Sequence, residues 1–458
     1  MNRRTFLGAA ATAPLAGQRR APGAPERPNV VLILADDLAA WMLGCYGNKE
    51  IRTPNIDLLA RSGVRFVNNF VVTPICSASR ATLFTGRVPR QHGIHDFLTA
   101  NPIASPPQGQ KEPPPSFASE VMISDTLAAA GYRCGYVGKW HMGNDEKPGH
   151  GYQFTYTMPG GSSPYQDPVM FRNGERVQER GYLTELTTRA AVEFLDGQSA
   201  DPFFLTVSYF NPHTPYTGHP QKYYDMYANT SFDTVGWEPA APNALREKAL
   251  LADTVGNLRR CAASVTALDD QIPVLLRKLE EKGLRDRTLI VFTGDNGFLL
   301  GRHGLWSKGL ASDPINMYEE VMQTPMIWNW RGKTPVEATR PELVSFYDVV
   351  PTLCAATGTT PGGRNLPGKS YLHAVLNKPL AKGERWPSIV FGHFRNTEMA
   401  RDNRFKLVVR NDGQGPNELF DLSKDPREKV NQYDNPQYLT VRDRLNGELA
   451  GWRKRYSS

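Results

Sequence analysis

Four short, nearly continuous apolar runs set the tightest limit on how this chain folds: Asn29–Ala35, Tyr132–Val137, Phe203–Tyr209 and Thr288–Thr293. Runs this short, without polar alternation, read as strands buried on both faces. Burial on both faces marks a parallel sheet covered by helices. Between the runs lie helical patterns with punctuated ends. Thr53-Pro54 opens one helix that stops near Gly63, and Ser124 caps another that ends at Gly131. Gly181 to Asp196 is amphipathic, and Leu258 to Lys282 reads as one longer helix closed by Gly283. The Pro-rich stretch Pro102–Ser116 cannot be regular structure and reads as a loop or lid. After about Leu380 the pattern changes. Ser388–Gly392, Glu398–Arg401, Phe405–Arg410 and Leu419–Leu422 read as strands with turns between them, followed by a final helix. The expected fold class is α/β: a mostly parallel central sheet flanked by helices over residues 27–380, with a smaller C-terminal antiparallel-sheet subdomain over 381–458.

Composition narrows the function by exclusion. Lys+Arg 53 against Asp+Glu 46 gives a net charge of +7 in 458 residues, which is mild. No basic block or aromatic-studded basic stretch appears, so nucleic-acid binding has no support. The five cysteines (Cys45, Cys76, Cys134, Cys261, Cys354) form neither a CxxC pair nor a dense disulfide pattern. At the N-terminus, Arg3-Arg4 precedes a modest apolar stretch, Phe6–Leu15, with Ala-x-Ala-like cleavage options at Ala11–Ala13 or near Ala16. Residues 1–20 thus resemble a twin-arginine export signal. The stretch is too short for a stable membrane span, and no Cys follows Leu15-Ala16-Gly17 to carry a lipid. A periplasmic or secreted protein is expected.

Open parallel sheets bind ligands beyond the carboxyl ends of their strands. Here those ends carry Asp36-Asp37, Lys139-Trp140-His141, Asn211-Pro212-His213 and Asp295-Asn296. One such group is a turn or a helix cap; four on one edge point to a site. Asp36, Asp37, Asp295 and Asn296 offer only hard oxygens, which suits calcium or magnesium rather than zinc or copper. Cys76-Ser77-Ala78-Ser79-Arg80 follows a loop with Pro74 and precedes a helix-like run, Ala81–Arg87. A group at such a helix entry meets free N–H groups and the positive dipole end. On spacing alone, Cys76 is either a nucleophile with a lowered pKa or a buried cysteine opening a helix.

Cys76-Ser-Ala-Ser-Arg80 with Thr82-Leu-Phe-Thr-Gly-Arg87 resembles the sulfatase signature. The resemblance extends through Ala35–Leu38, Gly138–His141, Pro212–Tyr216, Gly294–Gly297, Gly301–Lys308, Met317–Glu320 and Glu418–Leu422 with Asp425-Pro426. The resemblance implies an alkaline-phosphatase-like fold and a formylglycine made from Cys76 by a maturation enzyme. It also implies one Ca²⁺ held by Asp36, Asp37, Asp295, Asn296 and the residue at position 76. Arg80 and Lys139 would steady the aldehyde hydrate, and His141 would deprotonate its second hydroxyl. His213 and Lys308 would hold the sulfate of a small-molecule or glycan ester and assist the leaving oxygen. His95, His303 and Trp306 read equally as substrate contacts or as structure. Ala78 stands where proline is commoner, which leaves the maturation system open. Two other readings remain at this point: a phosphodiesterase or phosphonate monoester hydrolase of the same superfamily, and a non-catalytic binder of sulfated glycans that keeps an unmodified Cys76.

Overall fold

The computed structural model describes residues 27–99, 110–197, 201–411, 413 and 415–457. The export-signal reading of residues 1–20 lies outside them, as does much of the Pro-rich stretch. A ten-stranded sheet contains β1 (Asn29–Ala35), β2 (Val64–Phe70), β3 (Arg133–Lys139), β4 (Phe154–Met158), β5 (Val169–Arg172), β6 (Glu175–Gln178), β7 (Phe203–Ser208), β8 (Thr288–Gly294), β9 (Met326–Trp330) and β10 (Ala338–Ser345). Their order is β10-β2-β9-β8-β1-β7-β3-β4-β5-β6. The four strands legible in the sequence are its neighbouring centre, β8-β1-β7-β3, and they are parallel. The sheet as a whole is mixed, because β9 runs antiparallel between β8 and β2, and β5 and β6 form an antiparallel edge.

The apolar runs are continuous because each strand feeds two cores. Val30, Leu32 and Leu34 of β1 join one buried cluster, while Val31, Ile33 and Ala35 join the other. Successive side chains of a strand point to opposite faces, so a strand between two helix layers has no face to leave polar. The helices α1 (Pro54–Arg61) and α2 (Cys76–Thr85) lie in opposite layers: Ile56 and Leu59 pack in the second cluster, Ala78, Ala81 and Phe84 in the first. One helix expectation fails. The segment read as a single helix over Leu258–Lys282 is two helices, Thr254–Asp269 and Ile272–Glu281. Pro273 lies in the first turn of the second, where it is tolerated, whereas within a continuous helix it would remove a hydrogen bond and clash. The break also frees the buried Asp269 carboxylate to accept from the backbone N–H groups of Asn55 (3.1 Å) and Ile56 (2.7 Å), capping α1.

The C-terminal sheet orders β11 (Ile389–Phe394), β12 (Thr397–Asp402), β13 (Phe405–Arg410) and β14 (Glu418–Asp421) as an antiparallel meander. One face, through Ala400, Leu407 and Leu419, packs on Leu445 and Leu449 of the helix Leu439–Arg455. The other, through Met399 and Val408, enters the main core. Among the described residues, no helix is long and apolar enough to cross a membrane.

At Gly138 the backbone of β3 leaves no room for a side chain against β7. Its φ is +102°, and a Cβ there would stand 1.8 Å from the Ser208 carbonyl oxygen. Gly138→Ala is expected to destabilise the fold by about 2–4 kcal/mol, adding a backbone clash to the left-handed penalty. Gly131→Ala is the control: its φ is +85° and nothing lies within 4 Å, so only about 1–2 kcal/mol is expected. Denaturant melts compare the two; equal midpoints would mean that the β3–β7 approach does not require glycine.

Candidate active site

Strand order and direction assemble the site. The registers Leu34↔Ser208, Gly138↔Ser208 and Ala35↔Gly294 align the carboxyl ends of β1, β7, β3 and β8. Lys139, Ser208, Asp36 and Asp295 are therefore delivered to one edge. β2 reaches the same edge, because two antiparallel steps through β9 restore the direction of β8. Residues 71–75 then lead into α2, whose first residue is Cys76 and whose ten residues are all buried. The helix begins five residues earlier than the run Ala81–Arg87 indicated, so Cys76 sits within its first turn.

The ligand atoms of Asp36, Asp37, Cys76 and Asp295 all lie within 4.8 Å of one another, and all four residues are buried. Carboxylates this close, out of water, repel strongly unless cations answer them. Three do. Arg80 Nε donates to Asp295 Oδ2 at 2.8 Å, and its Nη2 lies 3.8 Å from Asp36 Oδ2. Lys139 pairs with Asp36, and Lys308 with Asp37. Arg80 Nη1 is further anchored on the Lys139 carbonyl (2.6 Å) and Ser208 Oγ (2.8 Å), while Ser79 Oγ donates to the Asp295 carbonyl.

These surroundings push the groups apart in charge. Burial disfavours the ionised form of Asp36, but Lys139, His213 and Arg80 outweigh it and hold its carboxyl well below the usual range. Burial and the neighbouring Asp36 raise Asp295 to about 6, against the pull of Arg80. Burial likewise opposes the charge on Lys308, yet Asp37, Cys76 and Asp36 keep its ammonium protonated well above the ordinary value. Cys76 Sγ donates to Asp36 Oδ1 at 3.4 Å and accepts from Lys308 Nζ at 2.6 Å and Lys139 Nζ at 3.8 Å. Burial, reinforced by Asp36, pushes its thiol up, and the two lysines offset only part. Of the two sequence readings of the unmodified thiol, these surroundings favour the buried cysteine opening a helix, because desolvation and a carboxylate raise its pKa.

The two histidines are held by backbone carbonyls, which fixes their tautomers. His141 Nε2 donates to the Leu98 carbonyl at 2.9 Å, leaving Nδ1 buried without a hydrogen-bond partner. Burial, then Lys139, holds its pKa well below the ordinary value, so the ring is neutral with a free lone pair on Nδ1. The ring needs Gly161, where a Cβ would lie 2.4 Å from Nε2. His213 Nδ1 donates to the Thr214 carbonyl at 2.6 Å, and Nε2 lies 3.7 Å from Asp37 Oδ2. Burial and Lys139 lower its pKa too.

The donor set fits a hard divalent cation. Asn296 Nδ2 donates to Asp37 Oδ1 at 2.8 Å, while Asn296 Oδ1 is buried with no hydrogen-bond partner. An orphaned amide oxygen beside three carboxylates is an oxygen-ligand set of the calcium or magnesium type.

A cavity of about 410 Å³ opens over Asp37, Cys76, His141, His213 and Lys308, and its walls include Phe97, Gly160–Ser162, Arg246, Glu247 and Ser307. Asp37, His141, Glu247 and Ser307 all hold positive φ (62°, 57°, 55° and 85°), and such strain gathers where function requires it. The weaker sequence candidates fall elsewhere. His303 bonds Glu320 at 3.2 Å and stacks on Tyr318, Trp306 donates to Tyr216 at 3.3 Å, and His95 is exposed beside His393. Sequence reasoning missed Ser79, Ser208, Arg246 and Glu247. The strand-end rule reaches Ser208, the last residue of a strand already recognised. The irregular segment carrying Arg246 and Glu247 has no periodicity to read.

A family model described as Sulfatase matches residues 28–359, and one described as N-sulphoglucosamine sulphohydrolase, C-terminal, matches 301–455. An N-acetylglucosamine-6-O-sulfatase of Bacteroides thetaiotaomicron is 25% identical, with 94% of this chain and 87% of that protein covered. A protein solved in complex with its substrate D-glucosamine-2-N,6-O-disulfate superposes with a TM-score of 0.79 at 23% identity, covering 94% of this chain and 98% of that one. A phosphonate monoester hydrolase of Agrobacterium radiobacter superposes at 0.69 with 22% identity, covering 94% and 96%. The fold is alkaline-phosphatase-like, and with the Sulfatase model spanning most of its length, this chain belongs to the sulfatase family of sulfuric ester hydrolases.

Proposed function

We propose that this sulfatase hydrolyses sulfate esters of glycans, using an aldehyde made from Cys76 and a bound Ca²⁺, in the periplasm or outside the cell. The observation that carries the reading is Cys76 itself: a buried cysteine at a helix entry, ringed by Asp36, Lys139 and Lys308. As a thiol it stays protonated and makes a poor nucleophile. Converted to formylglycine and hydrated, position 76 supplies a hydroxyl nucleophile; a Ca²⁺ held by Asp36, Asp37, Asp295 and Asn296 supplies charge to offset the anionic sulfate. The glycan substrate follows from the relatives that act on sulfated amino sugars.

The remaining roles belong to residues on the page. Lys308 and His213 line the floor of the cavity, where they hold the sulfate. Lys308 keeps its proton and so is the better cation for the departing oxygen, whereas His213 is lowered by burial and Lys139. His141, neutral with Nδ1 free, accepts the proton whose loss completes turnover. Arg80 and Lys139 hold the acids and position 76 in register.

Mass analysis of the Cys76 peptide tests the chemistry. Active protein should carry a peptide lighter than the encoded one by the difference between SH₂ and O; full activity with an unmodified thiol would overturn the reading. Side-by-side rates on sulfate and phosphate esters should favour sulfate.

Ca²⁺ added to metal-free protein should raise the midpoint of thermal unfolding, by about 2.7 kcal/mol of stability at a hundredfold excess over Kd. Asp295→Asn should abolish that rise while the protein still folds. A stabilising response to Zn²⁺ alone would contradict the oxygen-only ligand argument.

Stopped-flow kinetics separate the two histidine and lysine roles. His141→Ala should release the alcohol in a first-turnover burst while sulfate appears slowly. Lys308→Ala should slow alcohol release, most for poor leaving groups, by about 10²–10⁴-fold. Equal losses on activated aryl and unactivated sugar sulfates for the Lys308 variant, with no burst in the His141 variant, would remove the division of labour.

A further inference from the structure

The cavity is larger than a sulfate group, and its lining carries two charged residues that the hydrolysis does not use. At about 410 Å³ it falls within the roughly 300–1,000 Å³ of sites that enclose a whole small ligand. Arg246 and Glu247 stand side by side in that lining, opposite in charge and adjacent in sequence.

Glu247 is held in a shape that needs a reason. Its φ of +55° places a non-glycine residue in the left-handed region, at the entry of the short 3₁₀ turn Lys248–Asp253. Its Oε1 accepts from Thr214 Oγ1 at 3.1 Å, so the carboxylate is tied to the residue after His213. Its Oε2 is buried without a hydrogen-bond partner. A buried carboxylate oxygen on a cavity-lining residue, with its acceptor capacity unused, has the chemistry to receive a hydroxyl or an N–H.

Arg246 differs. Its guanidinium lies over the Phe97 ring, 4.5 Å from the centroid, and among the described residues it makes no ion pair. The ring fixes the plane of the guanidinium while leaving its N–H fork free. The neighbouring carboxylate, Asp96, is already paired with Arg395 at 2.5 Å. Arg246 therefore feels Asp96 only at longer range, and the cavity lining keeps a guanidinium without a direct ion pair next in sequence to the acceptor of Glu247.

We propose that Arg246 and Glu247 select the substrate: Glu247 accepts from a hydroxyl or N–H of the sugar carrying the scissile sulfate, and Arg246 pairs with a second anionic group on the same glycan. The inference rests on the sulfatase reading above and adds to it a substrate class, a glycan unit with at least two anionic groups.

Competitive inhibition of para-nitrophenyl sulfate hydrolysis tests it on aldehyde-bearing enzyme. Three inhibitors are compared: inorganic sulfate, which reaches the floor alone; N-acetylglucosamine 6-sulfate; and glucosamine-2-N,6-O-disulfate. The disulfated sugar should bind about 10- to 100-fold more tightly than the monosulfated one, the worth of a charged hydrogen-bonded contact. Arg246→Gln should collapse that ratio towards one, and Arg246→Lys should restore part of it. Glu247→Ala should weaken both sugars relative to inorganic sulfate. Equal inhibition by the two sugars in the wild type overturns the inference without touching the functional reading. So does a ratio that survives Arg246→Gln. Aldehyde-bearing wild type that turns over no sulfate ester overturns the functional reading, and this inference with it.

Discussion

Three carboxylates that do not tolerate one another in a dry interior govern the architecture of this protein. Asp36, Asp37 and Asp295 are buried at the edge of the sheet, and each is met by a cation from a different part of the chain: Lys139 at the end of β3, Arg80 on α2 and Lys308 from the irregular segment after β8. Removing one partner from such a cluster costs about 3–5 kcal/mol, because the charge left behind has no water to answer it. Strand order, the α2 entry and the position of Lys308 are therefore mutually dependent. The ion pairs add little net stability, since desolvation consumes most of the Coulomb gain. What they supply is a rigid arrangement of charge.

That rigidity is what a reaction on an anion requires. A sulfate ester repels nucleophiles, and mobile cations would have to reorganise at each turnover; buried, mutually hydrogen-bonded ones do not. The same environment sorts the titratable groups. Lys308 stays charged, His141 stays neutral with a free lone pair, and burial keeps the Cys76 thiol protonated. The apolar strands contribute indirectly, because two cores on either side of β1 hold the sheet edge still while the strained residues Asp37, His141, Glu247 and Ser307 are kept in place above it.

The inner strands were legible for the same reason that they are rigid. Burial on both faces forces continuous apolar runs, and β1, β7 and β8 announce themselves that way. β5 and β6 pair at the rim, are only four residues each and mostly partly or fully exposed, and leave no such signal. The break between Thr254–Asp269 and Ile272–Glu281 was masked by continuous helical periodicity on both sides, although Pro273 was in plain view. Site residues attached to strand ends or to the Cys76 motif could be read because strand ends and helix entries have fixed chemistry. Arg246 and Glu247 could not, since an irregular segment reaches its position only through contacts distant in sequence.

By itself, then, the sequence determined the central strands, the oxygen-rich edge, the signature motif around Cys76 and the sulfatase family, because each depends on local chemistry or on a short ordered motif. Only the tertiary structure decided the mixed sheet, the tautomers of His141 and His213, the raised thiol of Cys76 and the two charged residues Arg246 and Glu247 in the cavity lining. Those depend on which groups share a dry space, and the strength of a charge or a hydrogen bond there is set by neighbours that the chain brings together only when it folds.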